Sequence, residues 1–84
     1  MLATMNEKEI GQCDEIAKEI CARLREIRES KGISKNRLAE GAGLSWAAVM
    51  RIEKGERMPS LNTLIRLCRA LEVDLSSVIK EFEE

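Results

Sequence analysis

The strongest constraint on how this chain can fold is a pair of short helical segments joined by only three residues. The connection is Gly43-Leu44-Ser45, and a segment with helical periodicity lies on either side of it. Before it, Leu38 and Ala39 face inward, and after it Val49 and Ile52 share one face at i and i+3. Because only three residues separate the segments, we expect the two helices to cross at a steep angle.

The residue types around this connection fit such a crossing. Gly43 accepts a positive φ that other residues resist, and Ala39 is small enough for the following helix to approach it closely. A wedge of apolar side chains fills the space between the helices, namely Leu38, Leu44, Val49 and Ile52. Each feature is weak evidence alone, but together and in register they indicate a helix-turn-helix motif.

A long helix is predicted ahead of this motif. Asn6 and Glu9 form a capping-box pattern at its start, and the turn at residues 30–32 ends it. Gly11 could divide it into two helices, because glycine costs about 1 kcal/mol relative to alanine inside a helix. Its apolar residues recur at steps of three and four, as a core-facing stripe or, where exposed, as a dimer seam: Ile10, Cys13, Ala17, Ile20, Leu24 and Ile27.

The rest of the chain also predicts helices. Ser34 and Ser45 can cap the two short helices, Pro59-Ser60 opens a fourth, and Asp74 or Ser76 opens a fifth. One proline and five glycines leave few breakers, and almost no aromatics accompany the 44% of apolar residues. We therefore expect an all-α, compact five-helix bundle with connections of two to five residues. Helical spacing in the last two helices relates Leu61, Leu64, Ile65, Cys68 and Leu71, then Val78, Ile79 and Phe82.

Length and residue types exclude several classes of protein. Eighty-four residues make one small domain. The longest apolar run is far below the roughly 18 residues that cross a bilayer, and no signal-peptide pattern begins the chain. We expect a soluble cytoplasmic protein that does not contact a membrane.

Catalysis and metal binding are not expected. The chain has no His and no Tyr, and it has no Gly-rich phosphate loop. Its three cysteines, Cys13, Cys21 and Cys68, have no Cys-x-x-Cys spacing and are interpreted as small buried or half-buried apolar residues. The sequence therefore predicts neither an enzyme nor a protein with a metal or another cofactor.

Charge is distributed unevenly along the chain, although the net charge is only −1. Residues 1–22 hold two lysines against five carboxylates, and residues 31–57 hold six basic residues against three carboxylates. The positive charge thus falls on the helix-turn-helix segment, where an anionic partner such as DNA would bind.

Several short stretches together are similar to the Cro and phage-repressor (XRE-type) helix-turn-helix family. The resemblance covers roughly residues 20–80 and is specific to the family. It implies a repressor-like DNA-binding domain at residues 20–84 with a helical extension at 1–19, commonly a homodimer that regulates transcription. The stretches are Leu24-Arg-Glu-Ile-Arg28, Ser34-Lys-Asn-Arg-Leu-Ala39, Gly43-Leu-Ser45, Arg51-Ile-Glu-Lys-Gly55, Pro59-Ser60 and Ala70-Leu71.

The resemblance also implies site residues. Arg28 and Glu53 match a structural ion pair between the first and third helices. Residues 45–54 match the recognition helix, which enters the major groove of double-stranded DNA. Base contacts are expected from Trp46, Ala47, Met50 and Arg51. Phosphate contacts are expected from Lys35, Asn36, Ser45, Lys54 and Arg57.

The opening of the recognition helix leaves an alternative open. Trp46, Ala47 and Ala48 offer little but apolar surface, whereas base-reading helices usually carry paired donors and acceptors. An exposed patch of Trp46, Ala47 and Met50 could instead contact a protein. The alternative function is therefore a protein-interaction module of the same fold, such as an antitoxin or adaptor.

Overall fold

Five helices make up the computed structural model, which describes residues 2–83. Within this range no strand occurs, and the all-α five-helix prediction is confirmed. The helices are α1 (Glu7–Ser30), α2 (Lys35–Ala42), α3 (Trp46–Glu53), α4 (Leu61–Leu71) and α5 (Leu75–Lys80).

Side-chain caps fix where four of these helices begin. The Asn6 side chain accepts a hydrogen bond from the Glu9 amide, and Glu9 reciprocates, so the predicted capping box is present. The hydroxyls of Ser34, Ser45 and Ser60 accept from the third residue of α2, α3 and α4. Each such cap stabilises its helix by about 1 kcal/mol.

The first helix is continuous through Gly11 and runs for 24 residues, about 36 Å at 1.5 Å per residue. Only its second half joins the core, through Cys21, Leu24 and Ile27. The predicted apolar stripe therefore divides near Ala17. Its later residues pack inward, whereas Ile10 is 51% exposed and Cys13 is also exposed.

The three-residue turn between α2 and α3 has the predicted form. Gly43 ends α2 with φ of 68°, and the Leu44 amide donates to the Ala39 carbonyl at 2.8 Å. Leu38 and Ala39 are buried in the core with Val49 and Ile52 of α3, and Leu44 packs against them. The wedge between the crossing helices is thus filled as the sequence predicted.

One expectation for the last third of the chain was wrong. The connection between α3 and α4 spans residues 54–60 and is longer than the predicted two to five residues. In α4 the core is formed by Leu67, Cys68 and Leu71, whereas Leu61 and Ile65 are exposed. Helical spacing relates these residues but does not say which of them meets a neighbouring helix.

Candidate nucleic-acid interface

One face of α3 is turned away from the core. Val49 and Ile52 point inward, so the side chains roughly opposite them are accessible. Trp46 is 47% exposed, so about half of its surface is open to a partner. The residues of this outward face, called the α3 face below, are Trp46, Ala47, Met50, Arg51 and Lys54. All four predicted base-contacting residues therefore lie together on it.

The apolar part of the α3 face is smaller than the sequence suggested. Ala48 was counted with Trp46 and Ala47 as apolar surface, but it is buried at 5% exposure. It lies two residues after Trp46, on the side of the helix that also carries Ile52. Ala47 and Met50 are half-buried. Trp46 is thus the main apolar group that a partner would meet.

The segment that contains the α3 face carries an excess of basic residues. In the segment 31–57, six basic residues face three carboxylates, and one of these, Glu53, is buried against Arg28. The two remaining carboxylates, Glu40 and Glu56, leave a surplus of four positive charges. Within residues 2–83, Arg51 makes no side-chain hydrogen bond or ion pair, so its guanidinium is available to an external partner.

The predicted phosphate-contacting residues lie on three parts of the fold. Lys35 and Asn36 form the first turn of α2, which Ser34 caps. Ser45 precedes α3, and its hydroxyl oxygen accepts from the Ala48 amide at 3.1 Å, so the hydroxyl proton can still be donated. Lys54 ends α3, and Arg57 lies exposed in the connection to α4.

An ion pair fixes the far end of α3. Arg28 Nε donates to Glu53 Oε2 at 2.8 Å, and Nη2 donates to Oε1 at 2.9 Å. Both residues are buried, and the hydrogen bond to Glu53 holds the pKa of Arg28 above its usual value while burial opposes that shift. The geometry is that of a structural pair rather than of a residue that contacts a ligand.

The end of α2, just before the turn into α3, is held by a residue that sequence reasoning missed. Arg66 of α4 donates from Nε to the Ala42 carbonyl at 2.8 Å and from Nη2 to the Gly43 carbonyl at 2.6 Å. Arg66 Nη1 also donates to Asn62 Oδ1 at 3.5 Å within α4, but its partners in the turn are backbone atoms, so no residue type there marks the contact. Arg66 therefore ties α4 to the connection from which α3 starts.

Thiols and possible metal ligands contribute nothing to this face. Cys21 and Cys68 are buried, and desolvation raises the pKa of each thiol. The expectation that every cysteine is at least half-buried was wrong for Cys13, because that part of α1 extends past the core.

Among residues 2–83, no three His, Cys, Asp or Glu side chains converge as metal ligands would. In the same range no helix is long and apolar enough to cross a membrane.

Comparison with known proteins gives a consistent set of relatives. The HTH_3 helix-turn-helix family matches residues 24–78. The transcriptional regulator PuuR of Escherichia coli is 37% identical over 62 residues, which are 74% of this chain and 34% of PuuR. The chain thus spans about a third of the length of that relative. The uncharacterized regulator YgzD of Bacillus subtilis is 32% identical over 74% of this chain and 94% of its own length.

Two solved structures share the fold. The restriction-modification controller protein C.AhdI of Aeromonas hydrophila superposes with a TM-score of 0.70 at 34% identity, covering 76% of this chain and 96% of that one. The clp gene regulator ClgR of Corynebacterium glutamicum superposes with a TM-score of 0.73 at 29% identity, covering 79% and 86%. Both matched proteins are named as controllers or regulators.

Proposed function

We propose that this chain, which belongs to the helix-turn-helix family, is a sequence-specific DNA-binding regulator of transcription that acts as a homodimer in the cytoplasm. The family match confirms the resemblance that the sequence showed. The role needs neither a catalytic group nor a cofactor. Family membership is established. The selection of a target sequence, the homodimer and the base-contacting residues are proposed.

The exposed α3 face is the observation that carries the proposal. It places Arg51 on the same face as Trp46, with Lys54 following, on the helix that the family inserts into the major groove, and the surrounding segment has a surplus of positive charge. Arg51 can donate a pair of hydrogen bonds to guanine O6 and N7. Ala47 and the edge of the Trp46 ring can contact the methyl group of thymine.

Affinity should come mainly from the phosphates. The proposed donors are Lys35 and Asn36 of α2, Ser45 before α3, and Lys54 and Arg57 after it. Each neutralised phosphate releases counterions, so the logarithm of the binding constant should fall by about 0.9 per contact for each tenfold increase in salt. We therefore expect the affinity for DNA to depend strongly on salt. Discrimination between sequences should come from the smaller number of residues that contact bases.

We assign the homodimer interface to the exposed side of α4, where a second copy of the chain would bind. Leu61 is 67% exposed and Ile65 is exposed one turn later, and Arg69 and Glu72 continue that side with both signs of charge. A symmetric dimer there would place two α3 helices in half-sites about 34 Å apart.

The exposed turns of α1 are a poorer dimer surface. Ile10 and Cys13 are apolar and accessible, but Glu7, Glu9 and Asp14 lie beside them. Pairing two copies here would bring like charges together, which is unfavourable. The substitutions Leu61→Glu and Ile10→Glu distinguish the surfaces in sedimentation equilibrium, because only Leu61→Glu should dissociate the dimer.

Binding to a randomised duplex pool tests the proposed function. Fluorescence anisotropy at low and at physiological salt should show binding that weakens steeply with salt, and selection should enrich a two-fold symmetric sequence. The exposure of Trp46 favours one other candidate, a protein-interaction module in which Trp46 and Met50 contact a protein. Absence of DNA binding at low salt would contradict the regulator and support that module.

A further inference from the structure

Arg66 of α4 binds the last backbone carbonyls of α2, at the turn that leads to α3. Two groups of its guanidinium donate to consecutive carbonyl oxygens, those of Ala42 at 2.8 Å and Gly43 at 2.6 Å. A Cβ atom added to Gly43 would lie 2.9 Å from Arg66 Nη2, so the guanidinium fits closely against the turn. The contact spans 23 and 24 residues of sequence and is therefore part of the tertiary structure.

The turn's own amides do not occupy these oxygens. The Gly43 amide donates to the Glu40 carbonyl at 3.3 Å, and the Leu44 amide donates to the Ala39 carbonyl at 2.8 Å. Carbonyls at the end of a helix lack intrahelical partners and carry partial negative charge. The guanidinium satisfies two of them at once, and its rigid fork also fixes their direction.

We propose that Arg66 is a positioning residue that sets the angle at which α3 leaves the turn, and thereby its orientation in the groove. The inference rests on the proposed function. At the other end, the Arg28 and Glu53 pair holds α3 to α1. With that end fixed, loss of the Arg66 contacts displaces mainly the first turn, which carries Trp46 and Ala47.

Base contacts and phosphate contacts respond differently to such a displacement. The thymine-methyl contacts proposed for Trp46 and Ala47 require close approach, whereas phosphate contacts from Lys35 or Arg57 act largely as charge attraction. Arg66 should therefore control discrimination between sequences and should leave the general attraction to DNA unchanged.

Arg66→Lys and Arg66→Gln test this inference, with Arg25→Lys and Arg25→Gln as matched controls at an exposed arginine of α1. Affinities are measured for the selected site and for random duplex, well below each variant's unfolding temperature. Both Arg66 variants should bind the selected site about tenfold more weakly, the loss of one base contact. Random-duplex affinity and the salt slope should stay unchanged, and the Arg25 variants should resemble the wild type.

Three results would overturn the inference. A salt slope reduced by about 1 in Arg66→Gln, with equal weakening on both duplexes, would make Arg66 a phosphate contact. If the Arg66 variants had a lowered unfolding temperature but an unchanged preference for the selected site over random duplex, the role of Arg66 would be purely structural. Residual dipolar couplings of the free protein measure the angle between α2 and α3 without DNA, and an unchanged angle in Arg66→Lys would also refute it. Failure of the wild type to bind DNA would contradict the proposed function and leave the dipolar-coupling test in place.

Discussion

Arg28 and Glu53 join α1 to the end of α3 through two parallel hydrogen bonds of 2.8 and 2.9 Å, with 7% and 8% of the two residues exposed. Arg28 also donates from Nη1 to the Ile33 carbonyl at 2.7 Å, just before α2. One buried guanidinium thus holds three parts of the chain that meet at the helix-turn-helix unit. Together with Arg66, it gives α3 a fixed position.

Removing one member of the Arg28 and Glu53 pair should destabilise the fold more than removing both. Arg28→Met leaves a buried carboxylate without its partner, and such changes cost about 3–5 kcal/mol. The double variant Arg28→Met/Glu53→Leu removes both charges and should recover much of that loss. Urea unfolding of the wild type, both single variants and the double variant measures the coupling. Additive single effects would show that the pair contributes little.

Two glycines should respond to alanine in opposite directions. Gly43 has φ of 68°, and an added Cβ would also meet Arg66, so Gly43→Ala should destabilise the fold by more than 1 kcal/mol. Gly11 lies within α1 with nothing within 4 Å of an added Cβ, and Gly11→Ala should stabilise by about 1 kcal/mol. Thermal unfolding of the two variants measures both changes. A stabilising Gly43→Ala would contradict the described turn.

The buried thiols should make stability depend on alkaline pH. Burial raises the pKa of Cys21 and Cys68, so the folded state keeps these protons longer than the unfolded state. Their stabilising contribution is complete below the unfolded pKa of about 8.5 and is lost as pH rises through the folded pKa. Unfolding free energies between pH 7 and 10 should fall less steeply in Cys68→Ala than in the wild type. An unchanged slope in Cys68→Ala would contradict the burial of that thiol.

Thiol labelling gives an independent check of the same packing. Cys13 is exposed and should react with an aromatic disulfide reagent at the rate of an accessible thiol. Cys21 and Cys68 should react only as fast as the core opens. Equal rates for all three thiols in the native protein would contradict the buried placement of the last two.

Lys35 and Arg57 should affect all DNA sequences about equally. Each proposed phosphate contact contributes about 0.9 to the salt slope, so Lys35→Ala and Arg57→Ala should each reduce the slope by about 1 without changing sequence preference. Binding titrations at several salt concentrations measure the slope. A changed preference in either variant would mean that the residue contacts a base or shapes the DNA.

The sequence predicted the helix-turn-helix unit because its signals are local. A capping serine bonds three residues ahead, and Gly43 marks a positive φ by its own residue type. These features depend on short stretches of chain, so their meaning does not change with the rest of the fold.

The sequence alone did not predict which apolar residues are buried, because burial depends on which helix packs against them. The stripe containing Ile10 and Ile27 is uniform in spacing, but only Ile27 has a neighbouring helix to cover it. Likewise, Leu61 was grouped with Leu71 although only Leu71 faces the core. Arg66 was missed because its partners are carbonyl oxygens that every residue possesses. The division at residues 19 and 20 falls inside the continuous α1 and stays a prediction.

The most direct test of the central claim, that the α3 face reads DNA, compares Arg51→Ala with Arg25→Ala. Both remove one exposed arginine, but Arg25 lies on α1, where it pairs with Glu29 at 3.7 Å. The ratio of affinities for the selected site and for random duplex is measured for each at one salt concentration. Arg51→Ala should lower this ratio by about tenfold while Arg25→Ala leaves it unchanged. An unchanged affinity and ratio in Arg51→Ala would show that this face does not lie in the groove.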